Sequence, residues 1–281
     1  VHPSRNQRIV LGARGVATVE ITVFGAVRGL HSGHYGNWAP NPAMQLARLL
    51  ASMTDGEGRV LIPGFYDGVI PLTEAERHAL EQIPIVDEAL KKEMGLGGTQ
   101  PFGGLLRESI YQPSLNVRGI ESGGTGARAA NEVPAVARAS LDLRLVKGID
   151  GRTQAGRLVE HIRAQGFYVL EGRDPTAEER LRYAKIARAD IDPGYNALRT
   201  PFELPIVQEI TAVARSVREP VYVEPGFGGS LPLVVFEQAA PAPLVIVPIS
   251  NHDDSQHTHN ENIRLGNLWD GIELYAALLA M

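Results

Sequence analysis

The sequence predicts an α/β protein in two parts, an α+β unit followed by the C-terminal part of an α/β layer. Three observations point there. Segments 15–27 and 136–146 alternate in character with period two, the mark of half-buried strands. A helical pattern at 151–165 and a strand pattern at 167–170 follow the second of these, so helices are expected on one sheet face. After Thr200-Pro201 helix and strand alternate, as a parallel α/β layer requires.

In 15–27, Val16, Thr18, Glu20, Thr22 and Phe24 alternate with Ala17, Val19, Ile21 and Val23. A Gly- and His-rich loop is expected at 31–37. Asn41 as N-cap and Pro42 at the first helical position then start a helix with the apolar stripe Leu46, Leu49, Leu50 and Met53. The turn-rich stretch 54–71 encloses a short apolar strand at 60–62. Thr73 and Glu76 stand in the capping-box spacing of a further helix, and a charged helix is expected over 86–94. Five glycines in 95–104 predict a loop, followed by a short strand at 115–120 and a second Gly-rich loop at 121–127.

In 136–146 the apolar face falls on the odd positions, Ala137 through Leu145. Leu158, Val159 and Ile162 face a core from the next helix, which Gly166 closes. The charged, apolar-poor stretch 171–196 reads as a separator. Beyond it the pattern predicts a helix at 205–218, a strand at 221–223, a loop at 226–230 and a helix from about Leu231. A buried strand at 244–249, a polar loop at 250–262 and a final helix at about 265–279 complete the chain.

Composition excludes several function classes. The 281 residues are 44% hydrophobic, enough to bury a core, yet no apolar run is long enough to span a bilayer. Lys and Arg total 27 against 32 acids, for a net charge of -5, which argues against a general nucleic-acid binder. The chain has no cysteine, so thiolate metal sites, disulfides and cysteine nucleophiles are excluded. That suits a reducing compartment, and a cytoplasmic setting is expected.

Four groups of residues could carry chemistry. The densest polar cluster, Asn251 through Glu261, follows the expected 244–249 strand, and its imidazoles and carboxylates suit zinc or manganese. His31, on a Gly-flanked loop, can donate to developing negative charge. Asn131 and Arg144 could clamp a substrate carboxylate near one sheet end. Gly226-Phe227-Gly228-Gly229-Ser230 offers open amides and a hydroxyl to an anion, while the serine-hydrolase pattern G-x-S-x-G fails at its last glycine. A surface loop, a turn histidine, an ordinary strand arginine and a tight turn are the plainer readings of the same four groups.

Taken together, the segments resemble the M20 family of metallopeptidases. Gly12-Ala13-Arg14-Gly15 with Leu30-His31-Ser32-Gly33, then Asn131-Glu132-Val133-Pro134 with Leu141-Asp142-Leu143-Arg144, then Gly228-Gly229-Ser230, then His257-Thr258-His259-Asn260-Glu261 occur in the matching order. The stretch from Val60 to Glu74 looks most like the carnosinase and cytosolic dipeptidase branch. The resemblance implies a lid and dimerisation domain at 17–197, inserted in a catalytic α/β zinc-hydrolase domain represented here by 1–16 and 198–281. It implies a dipeptidase or N-acyl amino acid hydrolase with two zinc or manganese ions, working as a homodimer through the lid.

By the same resemblance His257, in preference to His259, matches a metal-ligand position. His31 matches the lid histidine that reaches the partner's site to stabilise an oxyanion, and Asn131, Arg144, Gly229 and Ser230 match substrate-binding positions. Asn131 departs from the dipeptidase branch, which usually has Thr there. The family's other ligands and its general base lie before the lid and have no counterpart in this chain. The chain is therefore expected to be a C-terminal portion that need not bind metal alone. Two alternatives stand beside this reading: a non-catalytic dimerisation fragment, and a serine hydrolase using Ser230 with His252 or His257 and Asp253 or Asp254.

Overall fold

A computed structural model describes residues 1–240 and 242–281. In chain order, β1 (Gln7–Val10) and the long β2 (Gly12–Phe24) lead to the short β3 (Leu30–His31), α1 (Ser32–Tyr35) and α2 (Pro42–Ala51). Then come α3 (Glu74–Glu81), α4 (Asp87–Glu93), α5 (Leu106–Ser109), β4 (Ser114–Glu121), β5 (Glu132–Val133) and β6 (Val136–Leu145). The helix α6 (Gly151–Ala164) and β7 (Tyr168–Leu170) precede α7 (Ala177–Arg182), β8 (Ile186–Tyr195) and β9 (Leu198–Arg199). The last part holds α8 (Pro205–Val217), β10 (Val221–Glu224), β11 (Phe227–Ser230), α9 (Leu233–Ala239) and α10 (Leu265–Leu279).

The main sheet runs β4-β6-β2-β8-β7. Its pairs are antiparallel except β7 with β8. The period-two pattern explains which face packs. Ala137, Ala139, Leu141, Leu143 and Leu145 of β6 and Ala17, Val19, Ile21 and Val23 of β2 bury together under α2 and α6. Leu46, Leu49 and Met53 meet them from the α2 side, and Leu158, Val159 and Ile162 from α6. The even positions make a polar face on the other side. Both foreseen helix starts hold: Asn41 Oδ1 accepts from Ala43 N at 2.9 Å, and Thr73 with Glu76 forms a complete capping box. Glu76, 3% exposed, also pairs with Arg199 Nε at 3.2 Å and so ties α3 to β9.

A second core gathers Ile9, Leu11, Val207, Ala214, Val221, Val223 and Leu274, from β1, the link between β1 and β2, α8, β10 and α10. β1 pairs in parallel with β10, the parallel contact expected of an α/β layer. β2 bridges the two units. Its first residues pair with β9 and, in parallel, with β11, while the rest pairs with β6 and β8. No helix among the described residues is long and apolar enough to cross a membrane.

Several expectations are corrected. The 171–196 stretch is no separator, since it contains α7 and the ten-residue β8 directly beside β2. Ala187 and Ala189 bury without bulk, and the charges on the other face pair locally, as Arg188 does with Asp190 at 2.8 Å. Near its end Gly194 lets the two strands touch, because a Cβ there would lie 2.0 Å from Val16 O. The 60–62 strand is reduced to one bridge between Thr54 and Val60. The 244–249 segment is half-buried and makes a single antiparallel bridge, Ile246 to Val10, rather than a buried strand. Pro243 and Pro248 bracket it and donate no ladder hydrogen bond. The 226–230 loop is strand β11, and the 31–37 loop begins with β3 and α1.

Candidate functional site

At one end of the sheet the start of β2, the end of β6 and β11 converge on Arg144. Its position on β6 lies opposite Val16 and Ser114, on the polar face. Arg144 Nη1 donates to Ser230 Oγ at 2.8 Å, and Ser230 Oγ donates to Gly15 O at 3.1 Å. Arg144 Nε donates to Asp142 Oδ2 at 2.6 Å. Asp142 is 2% exposed, and its other oxygen accepts from Asn116 Nδ2 at 2.9 Å. A second guanidinium stands alongside: Arg14 Nη2 donates to Gln112 O at 2.7 Å and Ser114 Oγ at 3.0 Å, and more weakly to Arg144 O. Burial first, and the neighbouring Arg144 charge second, pull Arg14 down to about 10, which leaves it cationic at neutral pH. Two guanidiniums against one carboxylate leave this end attractive to a further anion.

β11 is held in place from two sides. The Tyr111 hydroxyl donates to Gly226 O at 2.7 Å and accepts from Gly226 N at 3.2 Å, and burial pushes its pKa up. At Gly229 a Cβ would meet the Phe227 ring at 2.4 Å, so the backbone lies flat against that ring only without a side chain. The open amides expected at 226–230 are thus largely replaced by strand pairing, and Ser230 reaches Arg144 from a strand rather than a turn.

At the other end of the sheet, β3 pairs with β5, His31 opposite Glu132. Ser32 N donates to Asn131 O at 2.9 Å, so His31 and Asn131 are neighbours on an exposed surface. His31 Nδ1 accepts from Gly33 N at 3.1 Å, which puts the proton of the neutral ring on Nε2. That N–H is a donor on an exposed residue, beside the His34 ring at 4.6 Å between centroids.

The two pairs are far apart within one chain. In the β2–β6 register Val16 faces Arg144 and Phe24 faces Val136. The eight residue steps from one pair to the other span ~26 Å at the strand rise of about 3.3 Å per residue. A dipeptide backbone reaches only ~7 Å. A small molecule bound at Arg144 therefore does not reach the Phe24–Val136 end of the strand pair, from which the chain leads to His31 on β3.

His257 lies exposed on the polar loop at φ +63°, and His259 is exposed nearby. Asp253 is committed to Arg264, which lowers its pKa to about 2, with Asn251 Nδ2 adding a 2.9 Å bond. Among the described residues no group of three or more His, Asp or Glu side chains could hold a metal ion. A two-cation site needs several carboxylates to bridge and neutralise it. The residues present do not by themselves fit such a pair. Ser230 Oγ is engaged by Arg144 and Gly15, and among the described residues no imidazole hydrogen-bonds to it, so the geometry supplies no base for a serine nucleophile.

Sequence reasoning passed over Asp142, Asn116, Arg14 and Tyr111. The signal for the first was present: Asp142-Leu143-Arg144 places two opposite charges on one face of a strand whose other face is entirely apolar.

A helix-backed sheet joined through one long strand to a small α/β unit is the M20 peptidase fold. The chain superposes over 99% of its length on the M20 family metallo-carboxypeptidase Sso-CP2 from Sulfolobus solfataricus, with a TM-score of 0.81 and 28% identity, covering 60% of that chain. Residues 11–167 match the family model described as the M20 peptidase dimerisation domain, and the chain belongs to that family. It is 28% identical to the Cys-Gly metallodipeptidase dug1 of Schizosaccharomyces pombe over 95% of its own length and 54% of the relative's. It is 25% identical to the Beta-Ala-His dipeptidase of Homo sapiens over 97% of its length and 52% of the relative's. The chain thus spans about half the length of the curated relatives it matches.

Proposed function

We propose that this chain serves a metal-dependent amide hydrolase of the M20 type, acting on dipeptides or N-acyl amino acids in a cytoplasmic setting. In this reading 17–197 is the lid and dimerisation unit, and 1–16 with 198–281 belongs to the catalytic unit. The observation that carries the reading is the split site: a carboxylate-binding end at Arg144 and Ser230, and a hydrogen-bond-donating end at His31 and Asn131 on the β3–β5 pair, which follows from the opposite end of the ~26 Å β2–β6 strand pair. Such halves make one site only when a second copy brings its His31 end to the first copy's Arg144 end. An isologous homodimer does this twice. The metallodipeptidase relatives support the reaction class.

Each residue then has a definite task. Arg144 binds the substrate carboxylate through Nη2, the guanidinium nitrogen left without a protein acceptor among the described residues, with Ser230 and the Gly229 backbone lining the approach. This fixes the scissile amide in register. His31 from the second copy donates its Nε2 proton to the oxygen that gains negative charge as the amide carbonyl becomes tetrahedral. Asn131 orients the same end of the substrate. The family's two metal ions (zinc or manganese) enter only as a requirement met mainly from outside these residues, His257 being the position proposed to contribute.

The test is kinetic. In the complete metal-loaded enzyme, Arg144→Ala should raise KM for a dipeptide ~100-fold, the loss of a charge-assisted hydrogen bond, while barely changing KM for the corresponding dipeptide amide. Equal effects on both substrates would refute the role of Arg144.

A further inference from the structure

A buried carboxylate on the otherwise polar face of β6 needs an explanation. Removing Asp142 from water is costly unless the charge is paired and its remaining lone pairs are bonded. Both conditions hold: Arg144 Nε occupies Oδ2 at 2.6 Å and Asn116 Nδ2 occupies Oδ1 at 2.9 Å. A buried ion pair adds little net stability over apolar packing, so its stability value alone does not explain the choice of Asp. The same i, i+2 spacing recurs on β8 as Arg188 with Asp190, but that carboxylate is 38% exposed and stays in contact with water.

What Asp142 does achieve is orientation. An arginine side chain is rich in rotamer entropy, and a flexible one spends part of any binding energy on being ordered. Here Nε is fixed by Asp142 and Nη1 by Ser230, and Arg14 Nη2 reaches the Arg144 carbonyl. Among the described residues no protein acceptor bonds Arg144 Nη2. The guanidinium is therefore held through Nε and Nη1, which leaves Nη2 for a ligand.

We infer that Asp142, itself held by Asn116, is the positioning residue that pre-aims the Arg144 guanidinium for a single substrate carboxylate. The inference rests on the reading of Arg144 as the carboxylate binder. It adds that the affinity of that contact is set on a residue the substrate never touches.

The experiment uses the full chain with ¹⁵N-labelled arginine, without and with N-acetylglycine as probe and N-acetylglycinamide as its uncharged control. Arg144→Lys identifies the Arg144 Nε–H signal. In the wild-type chain that proton should exchange with water at least ~10-fold more slowly than the Nε–H of exposed Arg28, as a charge-assisted bond to a buried acceptor dictates. Asp142→Asn should abolish the difference and weaken N-acetylglycine binding ~10-fold, leaving the amide unaffected. Asn116→Ala, which keeps the Asp142 charge but frees it to move, should give an intermediate result and decides the matter if Asp142→Asn fails to fold.

A merely structural Asp142 would lower the melting temperature without moving the affinity. Rapid exchange in the wild-type chain, or folded variants with wild-type affinity, would overturn the inference. If the wild-type chain shows no dependence on the probe's carboxylate, or Arg144→Lys keeps the full wild-type dependence, while the slow Nε–H is present in the wild-type chain, the reading of Arg144 as the binder fails instead. The two failures are therefore distinct.

Discussion

Mixing a His31→Ala variant with an Arg144→Ala variant is expected to restore hydrolysis that neither variant shows alone. The strand register carries this expectation: Arg144 sits at the Val16 end of the β2–β6 pair, whereas His31, on β3, follows from the Phe24 end eight positions further along. In an isologous dimer each site takes Arg144 from one copy and His31 from the other. A dimer of the two different variants then holds one site with both residues intact and one with neither. Random reassortment makes half of the dimers mixed, so about a quarter of wild-type activity should return. Each variant alone should lose on the order of 10²- to 10³-fold in kcat/KM, the usual size for a missing oxyanion donor or carboxylate clamp. The assay is turnover by the complete enzyme after subunit exchange. No recovery on mixing would mean that both residues act within one chain.

Leu143→Ala should produce the largest loss of stability among substitutions near the site, about 3 kcal/mol by the usual cost of truncating a fully buried leucine. Leu143 is 0% exposed and lies between Ala17 of β2 and Leu115 of β4 in the register. Its backbone neighbours, Asp142 and Arg144, point to the opposite face and belong to the proposed site. The strand is therefore anchored by one face and carries the proposed site on the other. Urea unfolding checks this: the midpoint should fall with the slope unchanged, since the surface exposed on unfolding stays the same. A loss below about 1 kcal/mol would show that the strand is not held by this core.

Much of the fold could be read from the chain because its signals are local. Asn41-Pro42 and Thr73 with Glu76 set helix starts through bonds between residues two to three apart, and these appear as expected. The odd-position face of β6 is legible for a similar reason, since side-chain alternation follows directly from strand geometry. β8 was missed because its buried positions are largely alanines amid charges, which resemble a solvated linker until β2 is placed beside them. β11 holds three glycines and serines in four residues and has no periodicity of its own; its parallel pairing with the start of β2 makes it a strand.

The site divides the same way. Motif order alone singles out His31, Asn131, Arg144 and Ser230, and the structure brings Arg144 to Ser230 and His31 to Asn131. The distance between those pairs depends on strand register, which no motif contains. Asp142 was hidden for a further reason: an acidic residue at an even strand position ordinarily faces water, and only the packing around β6 reveals it as buried.

The most direct test of the split site uses the absence of cysteine in the chain. Ser32→Cys beside His31 and Leu231→Cys beside Ser230 can be introduced singly and together, with no native thiol to interfere. A short bismaleimide should convert the double variant into covalent dimers, and an equimolar mixture of the two single variants into covalent heterodimers. Cross-linking confined to single chains, with no covalent dimer, would contradict the account.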